Sequence, residues 1–371
     1  MKAEIYVPAV AESLADLKVS FELLEPARRK CIQTGLMLII RPAGLSAEKI
    51  QLQLDNLDYF LGKPIPDRPM VFGMHPNMPL SGSERLNFLT NPNWSEEYVR
   101  RGIEMMAKLP SELTPASGKA ISLHLNTLVA LEAWAANEPH WEKAFEGVLE
   151  RIKGLVAFGA DHGVRIAIET TPIPEFGDTP RNDRSLLNNS GGGYWPDLIN
   201  PWPLLFWRGE IEKLREAGAN LTIDICHSYI ALRTILEIEK YTSKKLESFL
   251  ARYGLYASDL EHAREAMEFA SLVLEHTKPG DIWHVNDARG FYKSPELFGE
   301  ESFFEEGVQL FEGDIPENDL MILIREGLRK RIKFVLEVHE TDFTNRPNTK
   351  MSLERVLGLF EATEDDLAIT R

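Results

Sequence analysis

Short apolar runs alternate with longer amphipathic stretches along this chain. Within each run the apolar side chains follow one another closely, and in the stretch after it they recur every three or four residues. The first pattern is typical of buried β-strands and the second of helices with one buried face. The sequence therefore predicts repeated strand–helix units, an α/β architecture with a parallel sheet. Eight runs have this form, at residues 4–7, 37–41, 70–75, 120–125, 164–169, 220–225, 281–286 and 333–338.

Eight strand–helix units in succession favour a closed (β/α)8 TIM barrel over an open sheet. Such a barrel needs about 250 residues, and the chain has 371. We expect residues 1–371 to form one barrel domain with long insertions after the fifth and sixth strands, at about 170–206 and 240–278. The first insertion holds an NNSGGGYW segment and several tryptophans, and the second has apolar residues at helical spacing.

Capping residues predict where several helices begin and end. Ser46 and Ser95 are expected N-caps, because a serine hydroxyl can accept a hydrogen bond from a free N–H of the first turn. Pro26 is expected to start a helical segment that ends at Gly35. The preceding VSFELL stretch is predicted as a helix, although its β-branched and aromatic content also suits a strand. The buried face of that helix would consist of Leu14, Leu17, Phe21 and Leu24.

The acidic charge of the chain argues against a nucleic-acid partner. Its 41 Lys and Arg against 57 Asp and Glu give a formal net charge of −16, which repels a phosphate backbone. A small-molecule substrate is therefore the expected partner, and the oligomeric state stays open. No apolar run approaches the roughly 18 residues needed to cross a bilayer, and MKAEIYVPAV lacks the features of a signal peptide. We expect a cytoplasmic protein that has no membrane partner.

Polar residues close the third to eighth apolar runs. Because the carboxyl ends of all strands meet on one face of a TIM barrel, we expect these residues to gather at one site. Single members have structural alternatives: Asp224 could cap the next helix, and His124 could be a satisfied core imidazole. Their occurrence at six equivalent positions favours a shared function. The six residues are His75, His124, Glu169, Asp224, His284 and Glu337.

Three imidazoles and three carboxylates make up this set, which is the chemistry of a metal site. The two cysteines, Cys31 and Cys226, form neither a disulfide framework nor a Cys-x-x-Cys clamp. Histidines and carboxylates would therefore hold any metal. Mixed nitrogen and oxygen ligands suit Zn, Mn, Co, Fe or Mg and do not choose among these divalent metals.

The segments around these residues resemble those of a known family. HPNMPL, SLHLNT and IAIETTP carry His75, His124 and Glu169, and TIDICHSY has the Asp-x-x-His pattern that is the most specific of the set. WHVNDARG, FEGDIP and FVLEVHE follow in the order of the family. Over most of residues 70–337 the chain is similar to the xylose isomerase-like TIM barrel superfamily, which contains endonuclease IV and sugar-phosphate isomerases and epimerases.

That resemblance implies which residues bind metal. His75 and His124 could hold a second metal together with Glu169. The residues of the first metal site would be Glu169, Asp224, His284 and Glu337.

The chain also departs from the endonucleases of that superfamily. EEGVQLFEGDIP places Glu305 and Gly307 where those enzymes have an Asp-x-His pair, so a third metal beside His227 lacks ligands. The first strand, IYVPAV, has no histidine. Together with the acidic charge, these departures argue against DNA repair.

The main functional hypothesis is a divalent-metal-dependent isomerase or epimerase in carbohydrate metabolism. Its substrate would be a small sugar or another hydroxy-carbonyl compound, and a proton would move through an enediolate. The resemblance implies that Glu169 and Glu337 are the catalytic carboxylates and that His227 and Arg289 hold substrate oxygens. Trp195 would shield the site or stack on a sugar ring, although a small hydrophobic core is the alternative for these tryptophans.

Two other functions remain as alternatives. One is a two-metal phosphodiesterase or phosphatase-like hydrolase, which the presence of both His75 and His124 favours. The other is a barrel that binds a metabolite without turning it over, because one fold supports many functions.

Overall fold

Eight parallel strands close into a barrel in the computed structural model, which describes residues 4–40, 42–65, 68–76, 86–130, 138–173, 198–241, 244–266, 268–299, 302, 304–340 and 342–369. Barrel strands that follow one another along the chain lie next to each other in the sheet. The last strand pairs with the first, with Lys333 opposite Glu4. The prediction of a (β/α)8 TIM barrel is confirmed. The strands are β1 (Glu4–Val10), β2 (Gln33–Ile40), β3 (Met70–Pro76), β4 (Lys119–His124), β5 (Val164–Glu169), β6 (Asn220–Asp224), β7 (Ile282–His284) and β8 (Lys333–Val335).

Helices surround the barrel, and their apolar faces pack on the outside of the strands. None of the helices in the described ranges has both the length and the apolar character that crossing a membrane requires. The α-helices span Leu14–Leu23, Glu25–Arg29, Ala47–Leu61, Pro92–Ala107, Glu138–Asp161, Gly209–Glu216, Ile225–Ile238, Lys244–Arg252, Ala257–Glu265, Phe269–His276, Pro295–Phe298, Glu317–Lys330 and Pro347–Ile369. Within the described ranges, 3-10 turns lie at Pro42–Leu45 and Ser111–Leu113.

The inside of the barrel is filled by one side chain from each of seven strands. Because side chains alternate along a strand, the residue two positions further on points the same way. Glu169, His284 and Glu337 each follow a member of this inner cluster by two residues, so they point into the mouth at the carboxyl end. The members of the cluster are Tyr6, Met37, Phe72, Ala120, Ala167, Ile282 and Val335.

Two of the predicted helix features are confirmed. The VSFELL stretch forms the end of the helix Leu14–Leu23 and its C-cap, Leu24, so helical periodicity outweighs its strand-like composition. Ser46 is the N-cap of the helix Ala47–Leu61, and its hydroxyl accepts a hydrogen bond from the Lys49 N–H at 3.3 Å.

Two predicted helix boundaries are wrong. The helix that contains Pro26 spans Glu25–Arg29, and Gly35 lies inside β2. A Cβ on Gly35 would lie 1.9 Å from the Met70 carbonyl oxygen, so glycine is needed there because two strands approach closely. Ser95 is not an N-cap, because the helix Pro92–Ala107 already begins after Asn91. The Ser95 hydroxyl instead donates to the Asn91 carbonyl at 2.8 Å, from within the helix.

The two predicted insertions have different outcomes. Most of the first, including NNSGGGYW and Trp195, lies outside the described residues. In its described part, Leu198–Ile199 pairs with Val129–Ala130, which lies in the segment after β4. Trp202 packs on Phe145, with ring centroids 4.9 Å apart. The second insertion forms the predicted helical turns, which are Lys244–Arg252, Ala257–Glu265 and Phe269–His276.

Asp259 joins the second insertion to the barrel through a buried ion pair. Its side chain is 2% exposed, and Oδ1 accepts hydrogen bonds from Trp207 Nε1 and Arg208 Nε, each at 2.9 Å. Arg208 Nη2 donates to Oδ2. Burial acts to raise the pKa of Asp259, but Arg208 and the hydrogen bonds outweigh it and lower the pKa.

We expect Asp259→Ala to lower the free energy of unfolding by about 3 kcal/mol near pH 7, because the buried Arg208 charge loses its partner. Because folding lowers the pKa, the stabilisation is complete above the unfolded-state pKa of about 4 and is lost as the pH falls through the folded-state value. Urea unfolding of wild type and variant at neutral and acidic pH measures both effects. Glu25→Ala, which removes an exposed pair with Arg29, is the control and should stay within about 0.5 kcal/mol. A constant difference at all pH values would contradict the prediction.

Candidate metal centre

Two groups of potential metal ligands lie at the carboxyl end of the barrel and share one residue, Glu169. In each group the ligand atoms all lie within 4.8 Å of one another. The structure thus brings together all six polar residues that close the third to eighth runs. The smaller group is His75, His124 and Glu169, and the larger one is Glu169, Asp224, His284 and Glu337.

Glu169, at the end of β5, is the centre of both groups. Its side chain is 1% exposed, and its two oxygens face different neighbours. Oε1 lies 3.1 Å from His284 Nδ1 and 3.4 Å from His124 Nε2, whereas Oε2 lies 3.5 Å from His75 Nε2. The Ser122 hydroxyl, 3.2 Å from Oε2, orients the carboxylate. One carboxylate can therefore serve two cation positions.

His284 shows that the larger group suits a cation. Its Nδ1 lies 3.1 Å from Glu169 Oε1, 2.5 Å from Glu337 Oε2 and 3.7 Å from Asp224 Oδ2. One ring nitrogen carries at most one proton and cannot satisfy three carboxylates. The approach of Glu337 Oε2 to His284 lacks hydrogen-bond geometry, so this buried oxygen has no hydrogen-bond partner among the described residues. A divalent cation bound by all four groups would satisfy these oxygens and offset their charge.

Neighbouring histidines lower the pKa values of both glutamates. Burial acts to raise the pKa of Glu169, but His284, His124 and His75 outweigh it and lower the pKa well below its usual value. Burial likewise acts to raise the pKa of Glu337, whereas His284 and His75 lower it to about 2. Both glutamates are therefore available as ligands or as bases near neutral pH.

Asp224 caps the following helix with one carboxylate oxygen and turns the other towards the larger ligand group. Its Oδ1 accepts a hydrogen bond from the His227 N–H at 2.8 Å, so it is the N-cap of the helix Ile225–Ile238. Its Oδ2 faces the larger ligand group and accepts from Asn286 Nδ2 at 3.1 Å. Asn286 also donates to the Glu337 carbonyl at 3.2 Å and thereby links two strand ends.

His227 lies on the edge of both groups and is in neither. Its Nδ1 donates to the Thr170 carbonyl at 2.9 Å and lies 3.6 Å from Glu169 Oε1. Its Nε2 lies 3.7 Å from Glu306 Oε1. Burial acts to lower the pKa of His227, but Asp224, Glu306 and Glu169 outweigh it and raise the pKa to about 10.

Of the other two predicted substrate-binding residues, Arg289 lies within the described part of the chain and outside both ligand groups. Arg289 is half exposed, and its guanidinium binds the Glu305 carboxylate at 2.7 Å and the Glu312 carbonyl at 2.6 Å. Trp195 lies outside the described residues. Asp287, two residues before Arg289 in WHVNDARG, fixes the FEGDIP turn. Its carboxylate accepts a hydrogen bond from the Gly313 N–H at 2.9 Å.

Glu306, Ser122 and Thr222 belong to this region but were not among the predicted residues. Ser122 and Thr222 lie two positions before His124 and Asp224, and their hydroxyl oxygens are 2.7 Å apart. Strand alternation could have found both, because such positions share a face. Glu306 has no comparable signal, since its direction depends on an irregular strand.

Solved structures that match this chain over nearly its whole length have the same barrel. A D-tagatose 3-epimerase-like protein is 15% identical, with a TM-score of 0.51 over 99% of this chain and 100% of that chain. A xylose isomerase domain protein from Planctomyces limnophilus is 12% identical, with a TM-score of 0.50 over 99% and 98%. This chain has the fold of the xylose isomerase-like TIM barrels. The predicted resemblance is confirmed at that level.

A third match within the xylose isomerase-like fold has a sugar bound. This D-allulose 3-epimerase from Methylomonas sp., in complex with D-allulose, is 10% identical, with a TM-score of 0.50 over 96% of this chain and 97% of that chain. No family model and no curated protein matches the sequence. At such low identities the likeness concerns the fold, and the chemistry has to be argued from the site itself.

Proposed function

We propose that this protein is a divalent-metal-dependent isomerase or epimerase of a small sugar or a related hydroxy-carbonyl compound. The observation that carries the proposal is the larger ligand group, in which three carboxylates and one imidazole lie within 4.8 Å at the mouth of the barrel. The sugar epimerases with the same fold support a sugar-like ligand.

The two glutamates would do the proton chemistry. A divalent cation held by Glu169, Asp224, His284 and Glu337 would stabilise negative charge on the substrate oxygens. Glu169 and Glu337 are both ionised, so either can take a proton from the carbon beside the carbonyl group. Epimerisation needs removal of that proton and return of a proton on the other face, and two carboxylates allow this.

Deuterium exchange tests the proposal without knowledge of the true substrate. The protein is incubated in D2O with Mn²⁺, Co²⁺ or Mg²⁺ and with the ketohexoses D-fructose, D-tagatose and D-allulose. We expect NMR and mass spectrometry to show deuterium at the carbon next to the carbonyl group, with or without a new epimer, and EDTA to stop the exchange. Absence of exchange with every metal and sugar, in protein shown to bind metal, would count against an isomerase or epimerase.

The smaller ligand group favours a second candidate, a two-metal hydrolase of phosphate esters. His75, His124 and Glu169 provide ligand atoms for a further cation, and Glu169 would bridge the two ions. Metal content after dialysis separates the candidates. One equivalent per chain favours the isomerase, whereas two tightly held equivalents with cleavage of a model phosphodiester favour the hydrolase. Ligand binding with neither reaction would indicate a non-catalytic barrel.

A further inference from the structure

Charged side chains fill the amino-terminal end of the barrel, opposite the candidate metal centre. Arg165 in β5, Lys333 in β8 and Glu4 in β1 each precede a member of the inner cluster by two residues. Because side chains two positions apart on a strand point the same way, all three point into the barrel below that cluster. Two cations and one carboxylate therefore share this end of the interior.

The two cations reach across the interior from their own strands. The Lys333 ammonium lies 5.5 Å from the ring centroid of Phe72, which belongs to β3, three strands away around the barrel. The Arg165 guanidinium donates to the Ser117 carbonyl, before β4, and to the Gly280 carbonyl, before β7, each at 3.2 Å. The interior of an eight-stranded barrel is only wide enough for side chains to fill it. Both positive charges therefore lie near the barrel axis.

Neither cation has a carboxylate partner among the described residues. No described carboxylate lies within ion-pair distance of Arg165 or of Lys333, and the Lys333 ammonium makes no hydrogen bond to a described residue. Glu4 is the acidic group in the same layer, but its Oε2 accepts from the Tyr6 hydroxyl at 2.6 Å and from the Ser117 hydroxyl at 2.9 Å. Lys333 is nevertheless only 8% exposed.

Burial and the proximity of the two cations oppose their charges. Burial lowers the pKa of Lys333, and Arg165 lowers this pKa further, whereas Glu4 acts to raise it. Burial also lowers the pKa of Arg165. One carboxylate offsets only one of two positive charges. An anion bound between the two cations would offset the other charge and accept hydrogen bonds from them.

Space is left next to the carbonyl groups that Arg165 binds. A Cβ on Gly118, which follows Ser117, would meet no atom of the described residues within 4 Å. A Cβ on Gly280 would lie 3.4 Å from Arg165 Nη1 and 2.7 Å from Asn220 Nδ2. Side chains at these two positions would therefore occupy space beside the guanidinium, which stays partly exposed as the chain stands.

We propose that Arg165 and Lys333 form a binding site for a small oxyanion, such as inorganic phosphate, at the amino-terminal mouth of the barrel. The anion accepts hydrogen bonds from the Lys333 ammonium and from the N–H groups of Arg165 that the two carbonyls do not use. Because it binds the folded chain, the anion stabilises the barrel. The site lies at the other end of the barrel from the candidate metal centre and does not depend on the proposed function.

Titration calorimetry with inorganic phosphate tests the site in the intact protein. We expect a dissociation constant of about 1 mM for the wild type near neutral pH and at least about tenfold weaker binding by Lys333→Met, because a hydrogen bond between charged groups is lost. Lys278→Met is the matched control, since Lys278 also precedes a strand at this end but is exposed and bound to Glu212 at 3.0 Å. It should bind phosphate like the wild type. No binding by the wild type, or equal binding by Lys333→Met, overturns the proposal.

Glu337→Gln separates this site from the candidate metal centre. Phosphate could also bind a cation held at the opposite mouth, so the titration is repeated with this variant in the presence of Mg²⁺. We expect its phosphate affinity to equal that of the wild type. If phosphate binding falls in Glu337→Gln and not in Lys333→Met, the anion binds at the metal centre and the proposal is wrong.

Thermal unfolding measures the stabilisation. Phosphate also stabilises folded proteins without binding, so the readout is the difference between variants at equal ionic strength. At about 20 mM phosphate the midpoint should rise by about 2–4 °C more in the wild type and in Lys278→Met than in Lys333→Met. Equal rises in all three proteins contradict a stabilising anion.

Selenate locates the site without any variant. It has the shape of sulfate, and its selenium atom scatters anomalously. In wild-type crystals soaked with selenate we expect an anomalous peak between Lys333 Nζ and the Arg165 guanidinium. A peak only elsewhere, or no peak, overturns the proposal.

Discussion

Glu169→Gln is expected to reduce ketose turnover by about a thousandfold and to weaken the binding of a divalent cation. Glu169 faces His284, His124 and His75 with its two oxygens, and its pKa is held low. Glutamine keeps the size of the side chain but removes the charge that binds a cation and the base that takes a proton.

Kinetics in D2O and titration with Mn²⁺ measure the two losses separately. Glu4→Gln is the matched control, because Glu4 is also a buried carboxylate but lies at the opposite end of the barrel, bound to Tyr6. If Glu169→Gln loses turnover and Glu4→Gln does not, the effect comes from the site and not from loss of a buried charge. Turnover and Mn²⁺ affinity close to wild type in Glu169→Gln would remove this residue from both ligand groups.

Gly35→Ala is expected to destabilise the barrel by at least about 3 kcal/mol or to prevent folding. The added Cβ would lie 1.9 Å from the Met70 carbonyl oxygen and 2.7 Å from its carbonyl carbon. Backbone atoms of a closed barrel cannot move aside as a flexible side chain can, so β2 and β3 would have to separate where Gly35 pairs with Met70.

Urea unfolding followed by circular dichroism measures this loss. Gly147→Ala is the control, since Gly147 lies in the helix Glu138–Asp161 and a Cβ there meets no atom within 4 Å. That change should stabilise the protein by about 0.5–1 kcal/mol, because alanine favours the helix. If Gly35→Ala has the same midpoint of urea unfolding as the wild type, the close approach of the two strands is not rigid.

The periodicity of apolar residues was sufficient to predict the barrel. Each of the eight runs overlaps a barrel strand, and the amphipathic stretches between them form helices. Burial of one face is a local requirement that the sequence has to show at every element, so it can be seen without coordinates. The ends of the elements were less predictable. Gly35 lies inside β2 because the strand packs closely against Met70, and Ser95 is not an N-cap because its helix begins earlier, at Pro92.

The composition of the candidate metal centre was also accessible from the sequence. In a closed parallel barrel all carboxyl ends share one face, so polar residues at strand ends, such as His75 and Glu337, come together regardless of their distance along the chain. Their roles in binding and catalysis remain predictions. Glu169 belongs to both ligand groups, so it could bind one cation or bridge two. The number of metal ions depends on which of these it does.

The sequence by itself determined the order of strands and helices and the set of residues at the mouth of the barrel, because both follow from regular alternation. Only the tertiary structure decided which irregular segments reach that mouth. A bulge at Gly307, in the antiparallel pairing of Asp287–Arg289 with Glu305–Val308, turns Glu306 towards His227, while Glu305 and Arg289 pair outside. Such directions depend on the register of two strands and on the contact with His339, which lie far apart in sequence, so no local pattern encodes them.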